Sequence, residues 1–167
     1  MIDVTIIIVS YNTSELTCES IQSVFDQTDD TYEIIVVDNA SIDRSQEKIN
    51  NRFMDKKFVN NNNSIFKLIE LQKNVGFAAA NNIAAEKAIG RYILLLNPDT
   101  VILDKAIDKL IKFADLNPQY GIYGGGTRFG DLSRNPTAGW NMATPWSLFS
   151  IAFGLSSIFR KSRFFSP

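Results

Sequence analysis

The sequence predicts a three-layer α/β/α domain with a mostly parallel central sheet, and three observations carry that reading. Short apolar runs at residues 4–9, 33–38, 66–71 and 92–96 alternate with stretches of helical periodicity. Most of the runs are β-branched or leucine-rich with little polar alternation, as in strands covered on both faces. Four strand–helix units in a row call for right-handed crossovers in an open sheet. With 167 residues, the chain has the length for one domain with a sizeable core.

Taken in order, residues 4–9 (Val-Thr-Ile-Ile-Ile-Val) read as a buried first strand closed by Ser10-Tyr11-Asn12. Asn12 with Glu15 three residues on makes a helix-capping pair. Cys18, Ile21, Val24 and Phe25 give the helix that follows a core face, and Cys18 belongs to that face rather than to a nucleophile. Residues 33–38 form a second buried strand ending in Asp38-Asn39-Ala40-Ser41. Ser41 or Ser45 caps a thinner helix through Ile49 and Phe53. Residues 56–64, with four consecutive asparagines, read as an exposed, mobile loop.

The alternation at 66–71 predicts a third strand with one less covered face. Asn74-Val75-Gly76 leads into a small-residue helix over 78–89, with Gly90 as its C-cap. The unbroken run 92–96 reads as a central strand buried on both faces. Pro98 has no amide for a ladder, so pairing ends there, and Asn97 and Asp99 lie just beyond the carboxyl end. A helix over 106–114 stops at Asn117-Pro118, and 121–126 forms a further strand fraying into a glycine-rich turn.

Composition excludes several classes of function. The formal net charge is −1, which argues against a nucleic-acid partner. The chain has no histidine, so histidine bases, histidine triads and zinc–histidine sites are excluded. A single cysteine forms no intramolecular disulfide and fits a reducing, cytoplasmic location. The start lacks a signal peptide's basic segment, and no apolar run is long enough to be a clear membrane span.

Parallel strands deliver Ser10-Tyr11-Asn12, Asp38-Asn39 and Asn97-Pro98-Asp99 to one sheet edge, where open α/β sheets bind ligands. Strand-to-helix turns favour Asn, Asp and Ser in any case, so a nucleotide site and a set of ordinary turns both remain open. For a nucleotide, Tyr11 offers a flat face to a base, and Asp38 an acceptor for a ring N–H. The helix after Asn74 and Gly76 offers free amides to phosphate or sugar oxygens. Asp99 offers a carboxylate to Mg²⁺ or Mn²⁺, which are commonly held by one or two carboxylates plus substrate phosphates. No phosphate loop ending in Lys and Ser/Thr occurs, and Gly124-Gly125-Gly126 lacks the dinucleotide spacing and position.

On these segments the chain resembles the family 2 glycosyltransferases of GT-A fold, and most of all their rhamnosyltransferase-like branch. The matching stretches are residues 6–12, 35–41, 74–78 and 94–99, within roughly the first 130 residues. The resemblance implies a nucleotide-diphosphate sugar donor, dTDP-rhamnose or a UDP-sugar, and inverting transfer to a saccharide or lipid-linked acceptor. It implies cell-surface polysaccharide or glycolipid synthesis as the setting. Ser10, Tyr11, Asn12, Asp38, Asn39, Asn74, Gly76, Asn97 and Asp99 are then the donor-binding set. Asp99 is the metal ligand of an Asp-x-Asp variant, with Asn97 in the first position.

Relatives of this kind continue into an acceptor-binding half that supplies a catalytic carboxylate. The chain stops before such a motif and reads as a donor-binding part, truncated at its C-terminus and weak in transfer. Residues 1–131 then form the nucleotide-sugar-binding domain. Residues 132–167, apolar and ending in Arg160, Lys161 and Arg163, are the start of an acceptor half or an association segment. Through 145–165 that segment suits a homodimer or the inner face of a membrane. Asp131, the only acid after Asp115, is the candidate base, although its setting is that of a turn aspartate. The competing readings are a non-catalytic nucleotide- or partner-binding module and, less well matched, a nucleotidyltransferase.

Overall fold

A computed structural model describes residues 1–53, 64–133 and 135. The elements are β1 (Val4–Ser10), α1 (Ser14–Gln27), β2 (Tyr32–Asp38), α2 (Ser45–Phe53), β3 (Ser64–Glu70), α3 (Phe77–Ala85), β4 (Tyr92–Leu96) and α4 (Ala106–Leu116). They all lie in the first of two compact units, Met1–Tyr123; the second is Gly124–Pro167. The sheet order is β3-β2-β1-β4, and every pairing is parallel. Among the described residues, no helix is long and apolar enough to cross a membrane.

The pleat of β1 and β2 sorts their apolar side chains onto two faces. Ile6, Ile8, Ile34 and Val36 share one core with Ile21 of α1, Ile49 and Phe53 of α2, and Ile107 and Ile111 of α4. Ile7, Val9, Ile35 and Val37 share the other with Ala80 and Ala84 of α3. The small side chains of α3 present little bulk to that face. Cys18 is buried in the first core, as its helical spacing predicts. Phe53 stands between the rings of Phe25 and Phe66, each with its centroid 5.9 Å away.

The strand over 92–96 departs from expectation. It pairs only with β1 and forms an edge of the sheet among the described residues. Tyr92, Leu94 and Leu96 turn toward the first core, whereas Ile93 and Leu95 are 49% and 55% exposed. The physical reason is that α3 packs on β1 and β2, so the matching face of β4 gains no such cover. A run of five apolar residues carries no sign of which face will be left open.

Three smaller expectations also change. The helix expected over 78–89 runs from Phe77 to Ala85, and Gly90 is not its cap. A Cβ at Gly90 would sit 2.3 Å from the Thr5 amide nitrogen, so glycine is required by close approach to β1. Residues 121–126 form no strand; the Tyr123 hydroxyl instead donates to the Asn117 and Tyr120 carbonyls at 2.8 and 2.7 Å. The expected loop at 56–64 lies outside the described residues except Ser64, which opens β3. The apolar segment 145–165 lies wholly outside them.

Below the second core, Glu33 is fully buried. Its Oε2 accepts the Thr5 hydroxyl at 2.6 Å and the Ile89 amide at 3.1 Å, and its Oε1 meets Lys67 Nζ at 2.5 Å. Thr5 Oγ1 in turn accepts the Gly90 amide at 2.9 Å, so one polar knot ties three strands to the turn that launches β4. Burial pushes the Glu33 carboxyl up, but Lys67, the Thr5 hydroxyl and the Ile89 amide outweigh it, and the net shift is downward. A depressed folded value adds stability above the usual carboxylate range, which is lost as pH falls through that folded value. Glu33→Gln should therefore destabilise the fold by about 2 kcal/mol at neutral pH. In urea titrations across a pH series, its deficit against wild type should shrink on acidification.

Candidate functional site

Strand order places the functional edge. From β1 the chain steps outward to β2 and β3, then returns through α3 to the other side of β1 as β4. The switch point lies between β1 and β4, where open sheets leave a crevice beyond the carboxyl ends. A cleft of about 540 Å³ opens there, lined by Val9 of β1, Tyr11 and Thr13 of the loop after it, Leu16 of α1, and Asn39 after β2. Asn74 and Gly76 before α3, Phe77 at its start, and Asn97, Pro98 and Asp99 after β4 complete the wall.

Of the sequence-predicted residues, Tyr11, Asn39, Asn74, Gly76, Asn97 and Asp99 line this cleft, whereas Ser10, Asn12 and Asp38 do not. Ser10 is buried with its hydroxyl 2.9 Å from that of Thr17. Asn12 adopts φ 55°, donates its amide to Ser41 Oγ at 2.9 Å and accepts the Ile42 amide on Oδ1 at 2.8 Å. It thus clamps the β1–α1 loop to the β2–α2 loop rather than pairing with Glu15 as a cap. Glu15 instead meets Lys48 at 2.7 Å. Thr13, Leu16 and Phe77 also line the cleft, and no sequence signal singled them out.

The two helix starts share one carboxylate that the sequence reading passed over. Asp43 Oδ2 accepts the Ser14 amide at the start of α1, at 3.2 Å. Its Oδ1 accepts the Ser45 amide at 3.0 Å and also the Ser45 hydroxyl, at the start of α2. Neither Ser41 nor Ser45 serves as the cap expected for α2, because the Ser41 hydroxyl oxygen accepts the Asn12 amide and the Ser45 hydroxyl donates to Asp43. The available signal was an aspartate two residues before Ser45. Burial pushes its carboxyl up, but the Ser45 hydroxyl and the Ser14 and Ser45 amides bring it below the usual range.

On the far wall, two asparagines hold each other. Asn39 Nδ2 donates to Asn74 Oδ1 at 2.9 Å, and Asn39 Oδ1 accepts the Val75 amide at 2.9 Å. Asn74 Oδ1 also accepts the Gly76 amide at 2.9 Å, and Asn74 forms part of the cleft wall. Gly76 adopts φ 84° and ψ 162°, a region nearly closed to other residues. That conformation starts α3 with no side-chain cap, so its first amides stay open to an anion or a sugar oxygen.

Asp38 is fully buried, with Oδ2 bonded to the Ser41 amide at 3.0 Å and to Gln46 Nε2 at 2.8 Å. Its Oδ1 is enclosed without a hydrogen-bond partner among the described residues. Asp99 is exposed, and no group among the described residues bonds to it. No cluster of three metal-ligating side chains occurs among those residues either. In the second unit, Asp131 sits in a tight turn, its Oδ1 accepting the Ser133 amide at 2.9 Å. The Ser133 hydroxyl and amide hold its carboxyl below the usual range, which makes it a weaker base.

A parallel sheet between helices, with a cleft at its switch point, is the architecture of GT-A nucleotide-sugar transferases. The S. aureus TarS 1–349 crystal structure in complex with UDP-GlcNAc matches with TM-score 0.59 at 22% identity, over 70% of this chain and 32% of that one. The mannosyltransferase PcManGT from Pyrobaculum calidifontis, in complex with GDP-Man and Mn²⁺, matches with TM-score 0.59 at 24% identity, over 66% of this chain and 32% of that one. The profile of Glycosyl transferase family 2 matches residues 5–167, and the chain belongs to that family. A putative teichuronic acid biosynthesis glycosyltransferase of Bacillus subtilis, TuaG, is 30% identical over 116 residues, 66% of this chain and 41% of the relative. The chain spans 15% of the length of a Rickettsia bellii relative and 44% of that of a Haemophilus influenzae relative, both uncharacterized glycosyltransferases.

Asp43→Ala should uncap both helices at once and lower stability by about 2 kcal/mol in thermal or urea melts. Asp43→Asn, which keeps one acceptor oxygen and turns an NH₂ toward the other amide, should recover no more than about half of that loss.

Proposed function

We propose that the cleft binds the nucleotide-diphosphate sugar donor of a glycosyl transfer reaction, with dTDP-rhamnose or a UDP-sugar as donor. The observation that carries this reading is the meeting of Tyr11 and Asp99 on one cleft at the switch point. Tyr11, 47% exposed, offers its ring as a stacking face for the base. Asp38 is buried behind the cleft wall, next to Asn39 and in register with Ser10, and its orphaned Oδ1 is the acceptor we assign to a ring N–H of a bound base. The Asn74 amide and the α3 N-terminus supply donors for ribose, sugar or phosphate oxygens. The donors in TarS and PcManGT support the substrate class, and the TuaG relative supports a role in cell-surface polysaccharide synthesis.

A carboxylate at a strand end, bonded by no group among the described residues, fits a divalent ion that shares its coordination with substrate phosphates and water. Asp99 would hold Mg²⁺ or Mn²⁺ in that way, with Asn97 beside it at the ribose. The bound ion supplies charge neutralisation on the departing nucleoside diphosphate. In inverting transfer, the acceptor oxygen bonds to the anomeric carbon as the bond to the diphosphate oxygen breaks on the opposite face. The acceptor's proton passes to a carboxylate. Asp131 is a poor choice for that base, since its carboxyl is spent within its own turn. That observation favours a second reading, a donor-binding part with little transfer activity of its own.

Calorimetry with UDP and dTDP, with and without Mn²⁺, tests the site. Wild type should bind more tightly when Mn²⁺ is present, and Asp99→Ala should lose about tenfold of the metal-enhanced affinity. The same affinity in all protein and metal combinations would remove Asp99 from the metal site. Incubation with UDP-sugar, Mn²⁺ and acceptors, scored for transfer and hydrolysis, separates the two readings. Robust transfer that disappears in Asp131→Asn would restore Asp131 as the base.

A further inference from the structure

The two oxygens of Asp38 are treated unequally, and the residue responsible lies outside the cleft. Oδ2 takes two donors, the Ser41 amide and Gln46 Nε2, while Oδ1 takes none among the described residues. Only the NH₂ of Gln46, not its carbonyl, is compatible with a carboxylate oxygen at 2.8 Å. Nothing in the helix itself demands this contact. The start of α2 is already satisfied by Asp43 and Ser45, and the helix is anchored through Ile49 and Phe53. With the Ser41 amide alone, a single hydrogen bond would set the tilt of the carboxylate plane. A second donor on the same oxygen fixes that plane and keeps Oδ1 as the acceptor.

We propose that Gln46 is a positioning residue for base selection, one that locks the Asp38 carboxylate so that Oδ1 accepts only a ring edge carrying an N–H. This rests on the reading of Asp38 as the base acceptor given above. The favoured class is the imide edge of uracil or thymine. Cytosine presents a bare ring nitrogen at the same place, so two lone pairs would face each other. A carboxylate free to turn would partly escape that conflict, and a locked one does not. Uridine and cytidine diphosphates are nearly equal in size and carry the same ribose and diphosphate, so their affinity ratio reports on this edge alone.

The experiment is calorimetry of UDP and CDP with Mn²⁺ on the 167-residue chain, with thermal melts of every variant. Wild type should prefer UDP. Gln46→Met, of similar length without a donor, should reduce the UDP-to-CDP preference about tenfold. Gln46→Lys, which keeps a donor, should restore most of it. Gln46→Ser, too short to reach Asp38, gives a second route to the same loss should the methionine variant not fold. An unchanged ratio, or equal weakening of both nucleotides, would overturn the role of Gln46. Asp38→Asn separates this failure from that of the underlying site, because an amide in place of the carboxylate should move preference toward CDP. If Asp38→Asn leaves both affinities unchanged, base recognition by Asp38 falls, and the proposal with it. If it shifts the ratio while the Gln46 variants do not, only the assignment to Gln46 falls.

Discussion

The structure depends on the parallel register of β1 between its two neighbours. Ile8 lies opposite Val36 on one side and Leu96 on the other, and Ser10 lies opposite Asp38. A shift of one residue would exchange the two cores, since each side chain on β1 would pass to the other face. Ile7 would then meet the helices built for Ile6 and Ile8, and Thr5 would leave Glu33. The same register brings the carboxyl ends of β1, β2 and β4 to one level, which is what permits three separate loops to line one cleft. Burial of every residue in β1 and β2 and the placing of the site are therefore one constraint.

Beyond the strands, the edge is built from loop-to-loop bonds. Asn12 ties the first loop to the second, Asp43 serves the helix on each side, and the Asn39–Asn74 pair ties the second to the third. Polar residues at this edge thus divide into those that face the cleft and those that hold the loops that do. Asp38 belongs to neither group fully, having one oxygen committed to the loop and the other left over.

Much of this was legible in the sequence. The β-branched runs located the strands, because a strand covered on both faces needs little polar alternation, and Cys18 with Ile21 and Val24 revealed the buried face of α1. The convergence of Tyr11, Asn39 and Asp99 followed from parallel strands alone. What escaped was non-local. The edge position of β4 depends on where α3 packs, and Gly90 is explained by a backbone 85 residues earlier in the chain. Asn12 looked like a cap because its spacing to Glu15 is right, yet its partner lies in another loop. Gln46 carries no motif, and only its 2.8 Å contact with a buried carboxylate sets it apart from other glutamines on helix surfaces.

The exposed flank of β4 bears on how the folded chain behaves in solution. Its five residues contain no charge, glycine or proline, and among the described residues its outer backbone edge has no strand beside it. Bare main-chain donors and acceptors beside half-exposed Ile93 and Leu95 form a template on which another strand can grow. Pro98 breaks that template at one end. At the other, Arg91 is already engaged by Asp3 and Asp115, which leaves less of its charge to repel a second copy. Among the described residues, this flank is therefore the part of the sheet most open to growth by a further strand.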